Sequence, residues 1–226
     1  LSLHDALPIS IWIGTGESNS SRSSYSGVGV YKSTDGGKTW QHMGLDDTHH
    51  IGRIVLHPTD PNTVWVAAVG HLYSPNKDRG VYKTTDGGKT WKKTLYTDEN
   101  TGAIDLVIDP KNPNNLYTAM WHRERRAWDF VEGGKTSGIH KSTDGGNTWT
   151  RVSTEGSGFP TSAGVGRIGL DIYPDNPNII YAFLDNQELR QVEKKEPKAG
   201  ELQKDQFKGM TTEAFLALND KDLNSF

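Results

Sequence analysis

The sequence says nearly the same thing three times. Residues 30–40 read VYKSTDGGKTW, residues 81–91 VYKTTDGGKTW and residues 139–149 IHKSTDGGNTW, which puts Asp35, Asp86 and Asp144 at spacings of 51 and 58 residues. A second repeat runs between these octets. Residues 51–68 (IGRIVLHPTDPNTVWVAA), 102–119 (GAIDLVIDPKNPNNLYTA) and 166–183 (GRIGLDIYPDNPNIIYAF) share one frame. Each has an alternating strand, a Pro-Asn turn and an aromatic strand. A period near 50 residues means one supersecondary unit repeated along the chain, not one layered core. The composition agrees: 33% hydrophobic residues but 25 Gly, 7 Trp and 8 Tyr suit short strands, tight turns and large buried rings.

One unit is therefore strand, Pro/Asn turn, aromatic strand, variable loop, strand, Gly-rich turn and a last strand opening with Trp. Proline fixes φ and asparagine bonds its own backbone, so such tetrads stop one strand and start its antiparallel neighbour. Four antiparallel strands in about 50 residues is the size of a propeller blade. A β-sandwich gives no reason for a 50-residue period. A βαβ solenoid needs helices, and no helical periodicity appears before about residue 187. The fold class expected is all-β: a partial β-propeller of four-stranded antiparallel blades with a C-terminal charged, partly helical insertion.

Each octet reads as a hairpin lock. The aspartate accepts hydrogen bonds from the turn that follows, the paired glycines allow positive φ, and the hydroxyls tie the two limbs together. The structural set is Ser33, Asp35, Gly37, Thr39 and Trp40 in the first copy. It is Thr84, Asp86, Gly88, Thr90 and Trp91 in the second, and Ser142, Asp144, Gly146, Thr148 and Trp149 in the third. The tryptophans are expected between neighbouring sheets. A calcium or catalytic role is poorly supported, because each octet offers one carboxylate where calcium loops use several.

S/T-x-D-G-G-x-T-W is the Asp-box, or BNR, motif, and the chain resembles the Asp-box β-propellers: sialidases, sortilin/Vps10 domains, xyloglucanases and the photosystem II stability factor. The likeness covers residues 11–226 and is nearest to large bacterial BNR-repeat proteins labelled glycosyl hydrolase or sortilin-like. It implies that the Asp boxes lie between third and fourth strands, on the face away from the ligand site, and that the protein works outside the cytoplasm (secreted, periplasmic or on the cell surface). Hydrolase signatures do not carry over. Gly52-Arg53-Ile54-Val55 and Gly166-Arg167-Ile168-Gly169 keep only the Arg-Ile of the sialidase F/Y-R-I-P motif, and the xyloglucanase A-R-T-D-I-G-G segment has no match.

The repeats divide the chain. Residues 1–8 (LSLHDALP) fit no repeat position and read as a foreign or artefactual leader. Residues 9–45 form an incomplete first blade, 46–96 the second, 97–152 the third and 153–186 the first half of a fourth. Residues 187–226 hold 7 Lys/Arg and 8 Asp/Glu and no Asp box. The stretch 187–209 reads as a solvated charged segment, followed by a short amphipathic helix capped by Thr211, with Phe215, Leu216, Leu218 and Leu223 on its apolar face. The chain is expected to be a slice of a larger propeller, with the remaining blades of the parent chain as its first partners.

Candidate site residues lie on the loops that join second to third and fourth to first strands. The richest loop contains Trp121, His122, Arg123, Arg125, Arg126 and Trp128, where aromatic faces beside guanidiniums suit sugars, anions or a peptide. The competing reading packs the two tryptophans between blades and leaves the Arg/Glu run solvated. His71 and Tyr73 line the neighbouring loop. Arg53, Asp105 and Arg167 start three successive inner strands, as a charged rim at the channel mouth or as a structural salt-bridge ring. Glu17 and Asp105 are the weak catalytic candidates, useful only at glycosidase separations. His49, His50, His71 and His122 invite a metal reading, but adjacent strand residues point to opposite sides, so no metal site is assigned. No cofactor is implied.

A net charge of −3 disfavours nucleic-acid binding, and no apolar run reaches a membrane span. Zero cysteines exclude disulfides and thiolate metal sites. The leading expectation is a non-catalytic propeller module that presents a loop face to a protein, peptide or glycan ligand. The alternatives are a segment of a glycoside hydrolase (sialidase- or xyloglucanase-like) and an assembly factor similar to the photosystem II stability factor.

Overall fold

The computed structural model describes residues 10–21, 24–189 and 204–224. The expected leader and most of the charged stretch 187–209 lie outside them. In the first of two compact units (residues 1–188), short antiparallel strands form successive sheets. Strands β1 (Ile11–Gly14), β2 (Val30–Ser33) and β3 (Gln41–His42) make a three-stranded sheet. Strands β4 (Ile51–Leu56), β5 (Val64–Ala68), β6 (Gly80–Thr84) and β7 (Lys92–Leu95) make a four-stranded meander. The next four-stranded sheet runs β8 (Thr101–Ile108), β9 (Leu116–His122), β12 (Gly138–Ser142) and β13 (Thr150–Arg151). The small hairpin β10 (Glu124–Arg125) and β11 (Phe130–Val131) interrupts it. A two-stranded sheet of β14 (Val165–Ile172) and β15 (Ile180–Asn186) follows. The architecture is an all-β run of Asp-box propeller blades.

The octets behave as locks. In the second, Asp86 Oδ1 accepts from Thr84 Oγ1 at 2.8 Å and from the Thr90 amide at 2.9 Å, while its Oδ2 accepts from Thr90 Oγ1 at 2.6 Å. Asp35 and Asp144 repeat the pattern with Ser33 and Thr39, and with Ser142 and Thr148. These donors hold all three carboxyls well below the usual carboxylate range, the threonine hydroxyl being the largest cause.

The second and third locks also clasp the blade before them. Trp65 of β5 donates from Nε1 to the Gly145 carbonyl in the third octet at 3.0 Å, and Trp149 returns from that octet to Thr94 Oγ1 at 3.2 Å. One joint earlier, Trp91 donates to the Met43 carbonyl at 2.7 Å and meets Trp12 edge to face at 6.3 Å. Lys32 and Lys83 lie over the Trp12 and Trp65 rings and reach Gly87 and Asn147 of the following octet. The apolar core accordingly sits in three seams between sheets, such as Val55, Trp65, Ala67, Leu106, Leu116 and Met120 between the two complete ones. Trp40 departs from the sequence expectation: it is 40% exposed and donates to Gly37 of its own hairpin, because no sheet precedes the first among the described residues.

Residues 189–226 form the second unit. Thr211 caps a helix as expected, accepting from the Ala214 amide at 3.2 Å. The expected single helix is instead two one-turn helices, α2 (Thr212–Leu216) and α3 (Asp220–Asn224), after a first, α1 (Lys204–Lys208). The Leu218 amide bonds to the Phe215 carbonyl, three residues back, which tightens and ends α2. Phe215 and Leu216 are exposed, and Phe215 meets Phe207.

Gly146 has φ +74° and an added Cβ would lie 2.5 Å from Trp65 Nε1, whereas Gly36 at φ +73° opens onto empty space. Gly36→Ala should cost about 1 kcal/mol in urea unfolding for left-handed strain, and Gly146→Ala at least about 2 kcal/mol more because the Trp65 joint must open. His140 occupies the position that Tyr31 and Tyr82 hold in the other repeats, and burial followed by Arg151 pushes its pKa down to about 4. The unfolded chain takes up that proton near 6.5, so the stability held by neutral His140 is complete above that pH and lost as pH falls toward 4. His140→Tyr should flatten the fall in unfolding free energy between pH 6.5 and 4; an unchanged slope would refute the assignment.

Candidate functional site

Three loops meet on one side of the first unit, and Arg123 is the residue that ties them. It follows β9, its side chain is fully buried, and its guanidinium lies over the Trp121 ring. It donates to the Asn19 carbonyl at 2.6 Å in the β1–β2 loop and to the Gly70 carbonyl at 3.1 Å in the β5–β6 loop. Its Nε has no partner. Arg79 is the second hub. It donates to the carbonyls of Val69, Asn100, His71 and Ser74 and to Asn76 Oδ1. Burial pushes Arg79 down to about 10 and Arg123 down to about 9, and Arg79 and Arg167 add repulsion at Arg123. Their direct hydrogen-bond partners are neutral.

A cleft of about 290 Å³ opens against these arginines, walled by Leu72, Tyr73, Ser74, Pro75, Asn100, Glu124, Arg125 and Arg126. Glu124 is its one acidic residue and is already engaged, with His122 Nε2 at 3.1 Å and Arg126 at 3.2 Å. Arg125 lies over Phe130, within the β10–β11 hairpin. The lining therefore concentrates positive charge and suits an anionic group.

Of the aromatic candidates, Trp121 is buried and donates to the Glu132 carbonyl at 2.7 Å, while Trp128 is 82% exposed at the tip of the loop and Tyr73 is exposed on the cleft wall. The competing packed-tryptophan reading thus holds for Trp121 and not for Trp128. The solvated-arginine reading fails at Arg123, whose side chain the neighbouring loops enclose.

The histidines gather beside this cleft. A second cavity of about 460 Å³ shares the Leu72–Ser74 wall and is lined by His49, His50, His71, Ser24 and Ser26. His49 and His71 stack at 3.7 Å, and Asp47 joins them. Burial, then His49 and Arg79, lowers the His71 pKa.

The inner-strand charges have structural roles. β-Bulges interrupt the register just before Arg53 and Asp105, and Arg167 falls in a third irregularity; bulges re-aim side chains. Asp105 Oδ1 lies 3.6 Å from Arg53 Nε and accepts from the Leu106 amide, while Oδ2 accepts from the Leu170 amide at 2.8 Å. It thus knits β4, β8 and β14. Arg167 turns toward the Trp121 ring instead of closing a charged ring. Glu17 accepts from Asn19 in the β1–β2 loop. Nothing in these contacts pairs Glu17 with Asp105 for acid/base chemistry.

Sequence reasoning passed over Arg79, Asp47 and the role of His49. The one available signal for Arg79 is its departure from the repeat: Val28 and Ser137 stand at the matching place before β2 and β12.

A family model described as Sortilin-Vps10 (sortilin, neurotensin receptor 3) matches residues 28–209. A xyloglucanase of Acetivibrio thermocellus is 28% identical over 141 residues, covering 56% of this chain and 15% of the relative. The chain thus spans about 15% of the length of the curated relatives it matches. The crystal structure of an ancestral GH74 enzyme is similar at a TM-score of 0.52 and 21% identity, over 69% of this chain and 19% of that one; this likeness speaks to the fold.

Loop tethering by Arg123 has a measurable consequence. Arg123→Met strips the Asn19 and Gly70 carbonyls of their donor and should cost about 2 kcal/mol or more in urea unfolding. Arg126→Met, at an exposed ion pair, should stay within about 0.5 kcal/mol. Equal costs would show that Arg123 does not hold the loops.

Proposed function

The chain belongs to the Sortilin-Vps10 family, and from that membership we propose that it is a non-catalytic propeller segment whose arginine-lined cleft binds an acidic peptide or protein segment outside the cytoplasm. The observation that carries this reading is the pair of buried guanidiniums, Arg79 and Arg123, bonded to neutral acceptors at the back of a cleft whose single acid, Glu124, is already paired. A ligand carboxylate entering there meets Arg125 and Arg126 at the rim and the field of the buried pair behind them. Exposed Tyr73 and Trp128 offer flat apolar area beside the charge. Placement outside the cytoplasm rests on the family likeness.

A second reading, a segment of a glycoside hydrolase, is supported by the likeness to the xyloglucanase. The site geometry weighs against it, because Asp105 is bonded to backbone amides and lies against Arg53 in a strand-to-strand tie.

Fluorescence anisotropy with Asp/Glu-rich peptides and their amidated counterparts, alongside hydrolysis assays on xyloglucan, separates the two. Acidic peptides should bind with an affinity that falls as salt rises, and Arg125→Glu with Arg126→Glu should weaken binding by about tenfold or more. Xyloglucan turnover abolished by Asp105→Asn would reverse the choice.

A further inference from the structure

The connection between β3 and β4 brings Asp47 and His49 close to His71, and His49 also lines the histidine cavity. Asp47 lies in a single 3-10 turn (Asp46–Thr48), and His49 follows with φ +53°, which turns its ring back across the β5–β6 loop. There it stacks on His71 at 3.7 Å and 19°. Among the described residues, Asp47, His49 and His71 are the one trio of such side chains whose ligand atoms all lie within 4.8 Å of one another.

The surroundings hold the trio from outside. His71 Nδ1 meets Ser74 Oγ at 2.9 Å, leaving Nε2 buried without a hydrogen-bond partner. Asn76 binds both sides at once: its Oδ1 accepts from the His71 amide and its Nδ2 donates to the Asp47 carbonyl. Arg79 donates to the His71 carbonyl at 2.6 Å. A hydrogen bond on the far imidazole nitrogen and fixed backbone on both sides are the usual support of a ligating histidine.

We propose that Asp47, His49 and His71 bind a divalent transition-metal ion of the zinc type, with its open coordination position facing the cavity lined by His50, Ser24 and Ser26. Two imidazoles and one carboxylate form the donor set that such ions accept with three protein ligands and a fourth site for water or a ligand group. Metal–ligand bonds of about 2.0–2.2 Å place donor atoms roughly 3.3 Å apart in a tetrahedral site. The trio reaches that spacing by side-chain rotation at Asp47, which is exposed, and at His49, whose stacked ring must swing to converge its lone pair. The loops need not move, because Asn76 and Arg79 hold the backbone of the β5–β6 loop in place. A cation here would lie beside the arginine cleft, sharing the wall from Leu72 to Ser74, and would extend its positive field.

The experiment is calorimetric titration of the full chain, stripped with chelator, with zinc chloride, repeated with cobalt(II) to read the ligand field from its visible absorption. One ion per chain with a tetrahedral-type cobalt spectrum is expected. His49→Gly suits the positive φ and removes the ligand without disturbing the turn, so its loss of both signals supports the site. His71→Ala should lose them too, with folding checked by circular dichroism. His42→Ala, at the separate His42–Asp46 pair, should keep both. Absence of saturable binding at one ion per chain, or binding that survives both His49→Gly and His71→Ala, overturns the proposal.

Discussion

The structure depends on a carboxylate that is saturated by its own turn. Each Asp-box aspartate takes two hydroxyls and a backbone amide within a few residues, so the hairpin between third and fourth strands has one shape wherever the octet occurs. Fixed shape gives fixed reach. The glycine carbonyl of the third octet stands where Trp65 of the preceding sheet can donate to it, and Trp149 comes back across the same seam. A local hydrogen-bond pattern thereby becomes the joint between sheets. Apolar residues fill each seam once the joint has set its width.

The opposite ends of the blades show what such a joint permits. With the octet ends fixed, the loops between second and third strands differ freely in length and sequence, and they converge without a common template. Arginine supplies the missing order. Arg123 and Arg79 reach carbonyls in neighbouring loops that no ladder could satisfy, because one guanidinium presents several donors in a fixed plane. The same side chains leave a concentration of positive charge with little carboxylate to balance it. Loop order and a local excess of positive charge then come from one arrangement.

Residues alone specify the structure where the governing interactions are local. The octet hydrogen bonds, the strand order of the two complete sheets and the cap at Thr211 each depend on residues within about one turn or hairpin of one another. Trp40 shows the limit: it has the same octet as Trp91 and Trp149, yet it stays half-exposed because its fate depends on a neighbouring sheet. Arg123 shows the same limit at the site. In a run of charged residues it looks like any solvated arginine, and only the approach of two other loops encloses it.

What the sequence determined by itself was the repeated unit: its strands, its turns, its Asp-box locks and the all-β class, since period, turn chemistry and side-chain alternation are encoded within fifty residues. What only the tertiary structure decided was which side chains from different units meet. Asp105 became a tie among three inner strands, Arg79 emerged as a hub, and Asp47 and His49 came within 4.8 Å of His71. The physical reason is that these meetings depend on the angle and spacing between sheets and on loop conformations. Those are set by the sum of many seam contacts, and no short stretch of sequence carries them.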